Sequence, residues 1–127
     1  MPGETPSRPI PIYTSKGEWS ALLVFPHLYS PMGEWIGWIT ADRQVFDVDG
    51  VYVGYLTDEQ RILRRRTLDG PLPRRISPRP QHKMRPPATI PLPPMMSELP
   101  YDLVDVFVEE PDRLHTVDTG EFKEDMD

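Results

Sequence analysis

The chain has no cysteine. That excludes disulfide frameworks and thiolate metal centres, on which small secreted domains usually rely. No apolar stretch approaches the ~20 residues needed to span a bilayer. Residues 1–11 lack a basic start followed by an apolar run, so no signal peptide is expected and the cytoplasm is the expected location. Histidine is scarce: His27 follows a proline, His82 lies in a proline tract and His115 in an acidic tail. Nucleophilic catalysis needs a base beside a nucleophile, held by a third group. No such set is visible and no Gly-x-Ser-x-Gly occurs. The expectation is a protein that is not an enzyme, with no catalytic residue, no cofactor and no bound metal.

What the chain has in excess is proline, 17 of 127 residues, or about 13% against a usual ~5%. Nine of these lie between Pro71 and Pro94. Proline lacks the backbone donor and fixes φ, so that stretch is neither helix nor sheet interior. The core must come mainly from residues before about Arg66. A core of ~55 residues is near the lower limit for independent folding. Help is expected from the tail wrapping back or from a second subunit.

The net charge of −6 conceals two opposed segments. Residues 61–85 carry nine basic side chains against Asp69, and residues 98–127 carry eleven acids against Arg113 and Lys123. Such segments can pair, and with a screening length of ~8 Å only close pairs matter.

Three segments align on a glycine: Gly17-Glu-Trp-Ser-Ala-Leu-Leu23, Gly33-Glu-Trp-Ile-Gly-Trp-Ile39 and Gly50-Val-Tyr-Val-Gly-Tyr-Leu56, at spacings of 16 and 17. Before each glycine stand an apolar pair and a turn-like triplet. A looser fourth copy runs from Ile62-Leu63 to Asp69-Gly70, its second strand spoiled by Pro71 and Pro73. Each unit predicts strand, tight turn, strand, because glycine accepts the positive φ of such turns. Gly17, Gly33, Gly50 and Gly70 are thus turn glycines. Both faces of the predicted strands are largely apolar, which suits a closed or stacked sheet. A small residue recurs in mid-strand, Ala21, Gly37 and Gly54. A strand glycine marks either close approach of another backbone or a bend.

These residues resemble a family of small bacterial proteins described as the 4-fold beta flower. The matching features are Gly33-Glu34-Trp35-Ile36-Gly37-Trp38, Val45-Phe46-Asp47-Val48-Asp49-Gly50, Tyr52-Val53-Gly54-Tyr55-Leu56 and Arg61-Ile62-Leu63-Arg64-Arg65-Arg66, with Gly17-Glu18-Trp19 as a further copy. The resemblance covers about residues 10–70 and implies four hairpins around a pseudo-fourfold axis. It carries no established activity. A fainter likeness, a Gly-x-x-x-Gly strand pattern, is to PRC-barrel-like β domains.

Three candidate chemistries remain. Asp47-x-Asp49-Gly50 echoes the start of a calcium loop, but its twelfth position is Asp58 rather than glutamate, so an ordinary hairpin turn is favoured. Arg61, Arg64, Arg65, Arg66, Arg74, Arg75 and Arg79 form a candidate interaction stretch. Arginine neutralises phosphate and stacks on bases, but no aromatics for single-strand stacking lie nearby. Trp19, Trp35, Trp38, Tyr52 and Tyr55 could line a ligand pocket, although aromatics in repeat register are more often core.

The expected organisation is a flexible N-terminus (1–9), a four-hairpin β domain (10–70), a proline-rich arm (71–97), a docking segment of short helix or strand (98–115) and an acidic, disordered tail (116–127). Period 3.6 fits Leu99, Leu103, Val106 and Phe107 of the docking segment, whereas Asp105 interrupts period 2. The fold class is all-β, four hairpins in a pseudo-fourfold array with an extended arm. The expected function is a non-enzymatic structural or protein-interaction module, self-associating or bound to a protein partner, away from membranes. The alternatives are an RNA- or ribosome-associated accessory protein using residues 61–79 and a small-ligand-binding β domain.

Overall fold

The computed structural model describes residues 9–67, 72–80 and 84–116. Gly70, most of the N-terminal segment and most of the acidic tail lie outside these. Eight strands form one antiparallel sheet in which each pairs with its neighbours in sequence: β1 (Ile10–Tyr13), β2 (Trp19–Val24), β3 (His27–Tyr29), β4 (Trp35–Ile39), β5 (Gln44–Asp47), β6 (Tyr52–Leu56), β7 (Ile62–Arg65) and β8 (Leu103–Asp105). A single helical turn, α1 (Val106–Glu109), and a 3-10 turn, Pro111–Arg113, follow. Among the described residues no helix is long and apolar enough to cross a membrane.

One turn design recurs between the strands, starting at Thr14, Ser30, Thr40, Asp47 and Thr57. The backbone N–H three residues on donates to the carbonyl of each. A side-chain oxygen of the same residue accepts the N–H four residues on. The residue three on is left-handed: Gly17 (φ 83), Gly33 (φ 89), Arg43 (φ 70), Gly50 (φ 85) and Gln60 (φ 63). These are type I turns closed by a left-handed residue, the usual three-residue hairpin loop. The sequence marks the glycine turns, whereas Arg43 and Gln60 carry no residue-type signal for a left-handed backbone. The structure makes all five equivalent, with the hydroxyls of Thr40 and Thr57 as the shared cause.

The small mid-strand residues follow a bulge. Ile12 pairs with Ala21 but Tyr13 with Trp19, Leu28 with Gly37 but Tyr29 with Trp35, and Val45 with Gly54 but Phe46 with Tyr52. Ser20, Ile36 and Val53 are thus the extra residues, and a bulge bends the strand and sharpens its twist. The bend brings the next strand close. A Cβ on Gly37 would lie 2.5 Å from the Phe46 carbonyl oxygen and 2.9 Å from a Leu114 methyl, and one on Gly54 would overlap the Leu63 carbonyl. Bend and close approach occur together at one place.

The coiled sheet brings its first strand to the β6–β7 turn. Tyr13 N–H donates to the Gln60 carbonyl at 2.8 Å, and Gln60 Nε2 donates to the Pro11 carbonyl at 2.7 Å. Ile12, Leu28, Val45 and Ile62 hold one repeat position, are each 0% exposed and share one aliphatic cluster. Full burial of such a side chain contributes about 1.5–3 kcal/mol. The next residues, Tyr13, Tyr29, Phe46 and Leu63, are also buried, on the opposite face.

Among its described residues the proline-rich stretch has no regular secondary structure, and it meets the turns in reverse chain order. Arg75 N–H donates to the Gly50 carbonyl at 2.9 Å, and its guanidinium sits 5.2 Å from the Phe46 ring centre. The Met84 carbonyl lies against Gly33, Pro91 accepts the Tyr13 hydroxyl, and Pro93 lies against Gly17. Turn glycines are ordinarily exposed, yet Gly33 and Gly50 are buried. The fourth strand pair also draws on distant sequence. β7 pairs with β8, and Arg66 N–H donates to the Asp102 carbonyl at 2.7 Å. The segment expected to be helix or strand is both, a strand running into one helical turn.

Replacing a turn glycine by alanine has two separable costs. The left-handed backbone alone costs about 1–2 kcal/mol, which Gly17→Ala should show, because Pro93 Cγ lies an ordinary 3.4 Å from its new Cβ. Gly33→Ala and Gly50→Ala must also displace the Met84 and Arg75 carbonyls, so both should lose more stability in urea unfolding. Equal losses at all three positions would contradict the close packing of the proline-rich stretch.

Candidate functional site

The basic stretch does not form one surface. Arg61 enters β7 directly after the left-handed Gln60, and the turn directs its guanidinium inward, where it is 2% exposed. It donates to the Ser15 hydroxyl at 2.9 Å, the Ser97 hydroxyl at 3.3 Å and the Glu59 carboxylate. Ser97 donates from its N–H and hydroxyl to the other Glu59 oxygen. Ser15 in turn donates from its N–H at 2.7 Å and its hydroxyl at 2.6 Å to Asp105, itself 2% exposed. One cation and two anions therefore join the first turn, the β6–β7 turn, the proline-rich stretch and β8. Asp105 interrupts the apolar pattern of its strand because Ser15 is its partner.

Arg64 grips Glu110 with two bonds, Nε at 2.6 Å and Nη2 at 2.5 Å. Arg66 donates to the Tyr101 carbonyl, stacks on its ring at 4.5 Å and reaches Glu109 at 3.7 Å. The acidic segment beyond β8 thus takes up two arginines of β7 and its end. Arg65, Arg74, Arg75 and Arg79 remain exposed. Hydrogen bonds from Arg64 hold the Glu110 carboxyl below its ordinary range. Those from Ser97, with Arg61 next, do the same for Glu59.

Asp47 opens the β5–β6 turn, as the hairpin reading expects. Its Oδ1 accepts the N–H groups of Asp49 and Val51, both at 2.9 Å, and the residue is 8% exposed. Chain spacing gives no hint of the third member of this cluster. Gly37 pairs with Asp47, and the side of Gly37 that lacks a Cβ receives Leu114. The following residue, His115, comes to the turn. Asp47, Asp49 and His115 each present a possible ligand atom, all within 4.8 Å of one another.

The aromatics divide. Trp38 is buried, stacks on Phe46 at 4.8 Å and donates to Ser77 at 2.9 Å. Trp19, Trp35, Tyr52 and Tyr55 are half-buried. His27 packs edge-on against Trp35, with His27 Nδ1 and Trp35 Nε1 buried and unpartnered.

Compared with protein-family models, curated proteins and solved structures, the chain matches none. The function must be argued from its own residues.

A carboxyl held below its ordinary pKa stabilises the fold above its unfolded value of about 4.3, and the effect is lost as pH falls through the folded value. Stability should therefore fall on acidification through and below pH ~4, and Glu110→Gln should flatten that slope in pH-dependent urea titrations. Arg61→Met should cost about 3 kcal/mol, the low end for a broken buried pair, because Glu59 is 30% exposed. A loss under about 1 kcal/mol, the scale of a surface pair, would show that the buried network is not holding the elements together.

Proposed function

We propose that this protein is a non-enzymatic structural or interaction module that associates with copies of itself. In this reading four repeat units stand in a pseudo-fourfold array, as in the 4-fold beta flower proteins it resembles, and the proline-rich stretch is an arm laid over them. The equal burial of Ile12, Leu28, Val45 and Ile62 supports the array.

The observation that carries the proposal is the display of large apolar side chains on anchored backbone. Ile76 is 96% exposed between Arg75, bonded to Gly50, and Ser77, bonded to Trp38. Leu92 is 91% exposed between Pro91, bonded to Tyr13, and Pro93, packed at Gly17. Met95 is 94% exposed. Proline and these anchors have already removed much of the backbone freedom that docking would otherwise cost. Stiff, exposed apolar side chains suit burial in a protein interface.

A second reading rests on the exposure of Arg65, Arg74, Arg75 and Arg79. On that reading these arginines bind RNA through phosphate contacts, and affinity falls steeply with salt.

Light scattering should give a mass that is a multiple of the 14.7 kDa chain, unchanged by added salt and free of nucleic acid. The Ile76→Glu, Leu92→Glu, Met95→Glu triple variant should be monomeric and still unfold cooperatively. A monomer at every concentration would overturn self-association. Salt-sensitive co-purifying RNA would favour the second reading.

A further inference from the structure

We propose that Asp47, Asp49 and His115 bind one divalent transition-metal cation, for which Zn2+ is the fitting probe, and that the cation pins the segment around His115 to the β5–β6 hairpin. The three ligand atoms lie within 4.8 Å of one another. Two carboxylates and one imidazole form a mixed oxygen and nitrogen set, which suits Zn2+ or Mn2+ better than an all-oxygen cation such as Ca2+. The sequence motif that echoes a calcium loop is thus completed differently. Its twelfth residue, Asp58, is in another turn and pairs with Arg43 at 2.8 Å, whereas the third donor is a nitrogen from the far end of the chain.

Three features outside the cluster prepare it for a cation. His115 Nδ1 lies 3.0 Å from the Thr116 carbonyl. A carbonyl can only accept, so Nδ1 carries the proton and the free lone pair is on Nε2. Histidine ligands are ordinarily fixed in this way, through a bond from the other ring nitrogen to a backbone carbonyl. Asp47 commits Oδ1 to two backbone N–H groups, which orients the carboxylate and leaves Oδ2 for a ligand role. Among the described residues no ion pair reaches Asp47 or Asp49.

The placement follows from the fold. Leu114 is 6% exposed and fills the space left by the absent Gly37 side chain, so His115 is carried to Asp47 by core packing rather than by the charges themselves. The site is therefore formed before a cation arrives.

Titration calorimetry of the full chain with ZnCl2 tests this. One equivalent should bind saturably, and Zn2+ should raise the thermal midpoint. His115→Ala and Asp49→Asn should each weaken binding at least about tenfold, the smallest loss expected when a ligand or its support is removed. Both variants should keep the metal-free midpoint, since Asp49 is exposed and His115 half-buried. Absence of binding at millimolar Zn2+ would overturn the proposal. So would binding unchanged in both variants, which would place the cation elsewhere, or Ca2+ binding that is as tight and indifferent to His115→Ala.

Discussion

A side-chain oxygen at the first position of five turns, accepting the N–H four residues on, is the constraint on which the rest of this structure depends. It closes a three-residue loop whose last member must be left-handed, and the same loop occurs at Thr14, Ser30, Thr40, Asp47 and Thr57. With the loop length set, the pairing register is set. The bulge then falls at Ser20, Ile36 and Val53, and the next residue must be small because the bent strand meets the carbonyl of its neighbour. Turn, bulge and glycine are successive consequences of one local bond pattern, repeated until the ribbon brings β1 to Gln60.

A ribbon so tightly bent has two apolar faces, and one chain of this size covers only one of them by coiling. The aliphatic face closes on itself around Ile12, Leu28, Val45 and Ile62. The opposite face, with Tyr13 and Phe46, meets the proline-rich stretch through Pro91 and Arg75. Proline suits this task. An extended segment crossing turn tips has no strand partner for its N–H groups, and proline has none to satisfy. β7, followed in the sequence by Pro71 and Pro73, pairs with β8. The buried Arg61 network and the Arg64–Glu110 pair hold that returning segment against β7.

The glycine turns were legible because Asp-Gly, and a turn-like triplet followed by glycine, have a direct backbone cause. The Arg43 and Gln60 turns were not, since neither residue advertises a positive φ. The matching signal was Thr40 and Thr57, each three residues earlier. Gly37 and Gly54 signalled something in mid-strand without distinguishing bend from close approach, because the bulge produces both. For β8, expected only as a docking helix or strand, the partner was hidden for a different reason. Its pairing is chosen by the open edge of β7 and by Ser15 receiving Asp105, neither of which is local. The basic stretch looked uniform in sequence, yet a strand alternates its side chains. Arg64 therefore turns to Glu110 while Arg65 is exposed. His115 had no sequence signal at all, because Leu114 packing on Gly37 is what brings it to Asp47.

The central claim is that the chain beyond the repeats completes the sheet and closes over its turns. Residue-resolved amide hydrogen exchange on the intact protein tests it most directly. The account predicts that the amides of β8 and Arg66 exchange as slowly as those of β5 and β6, and that Arg75, bonded to Gly50, exchanges more slowly than its unbonded neighbour Arg74. Fast exchange at Arg66, β8 and Arg75 alongside slow exchange in β1 to β6 would contradict it.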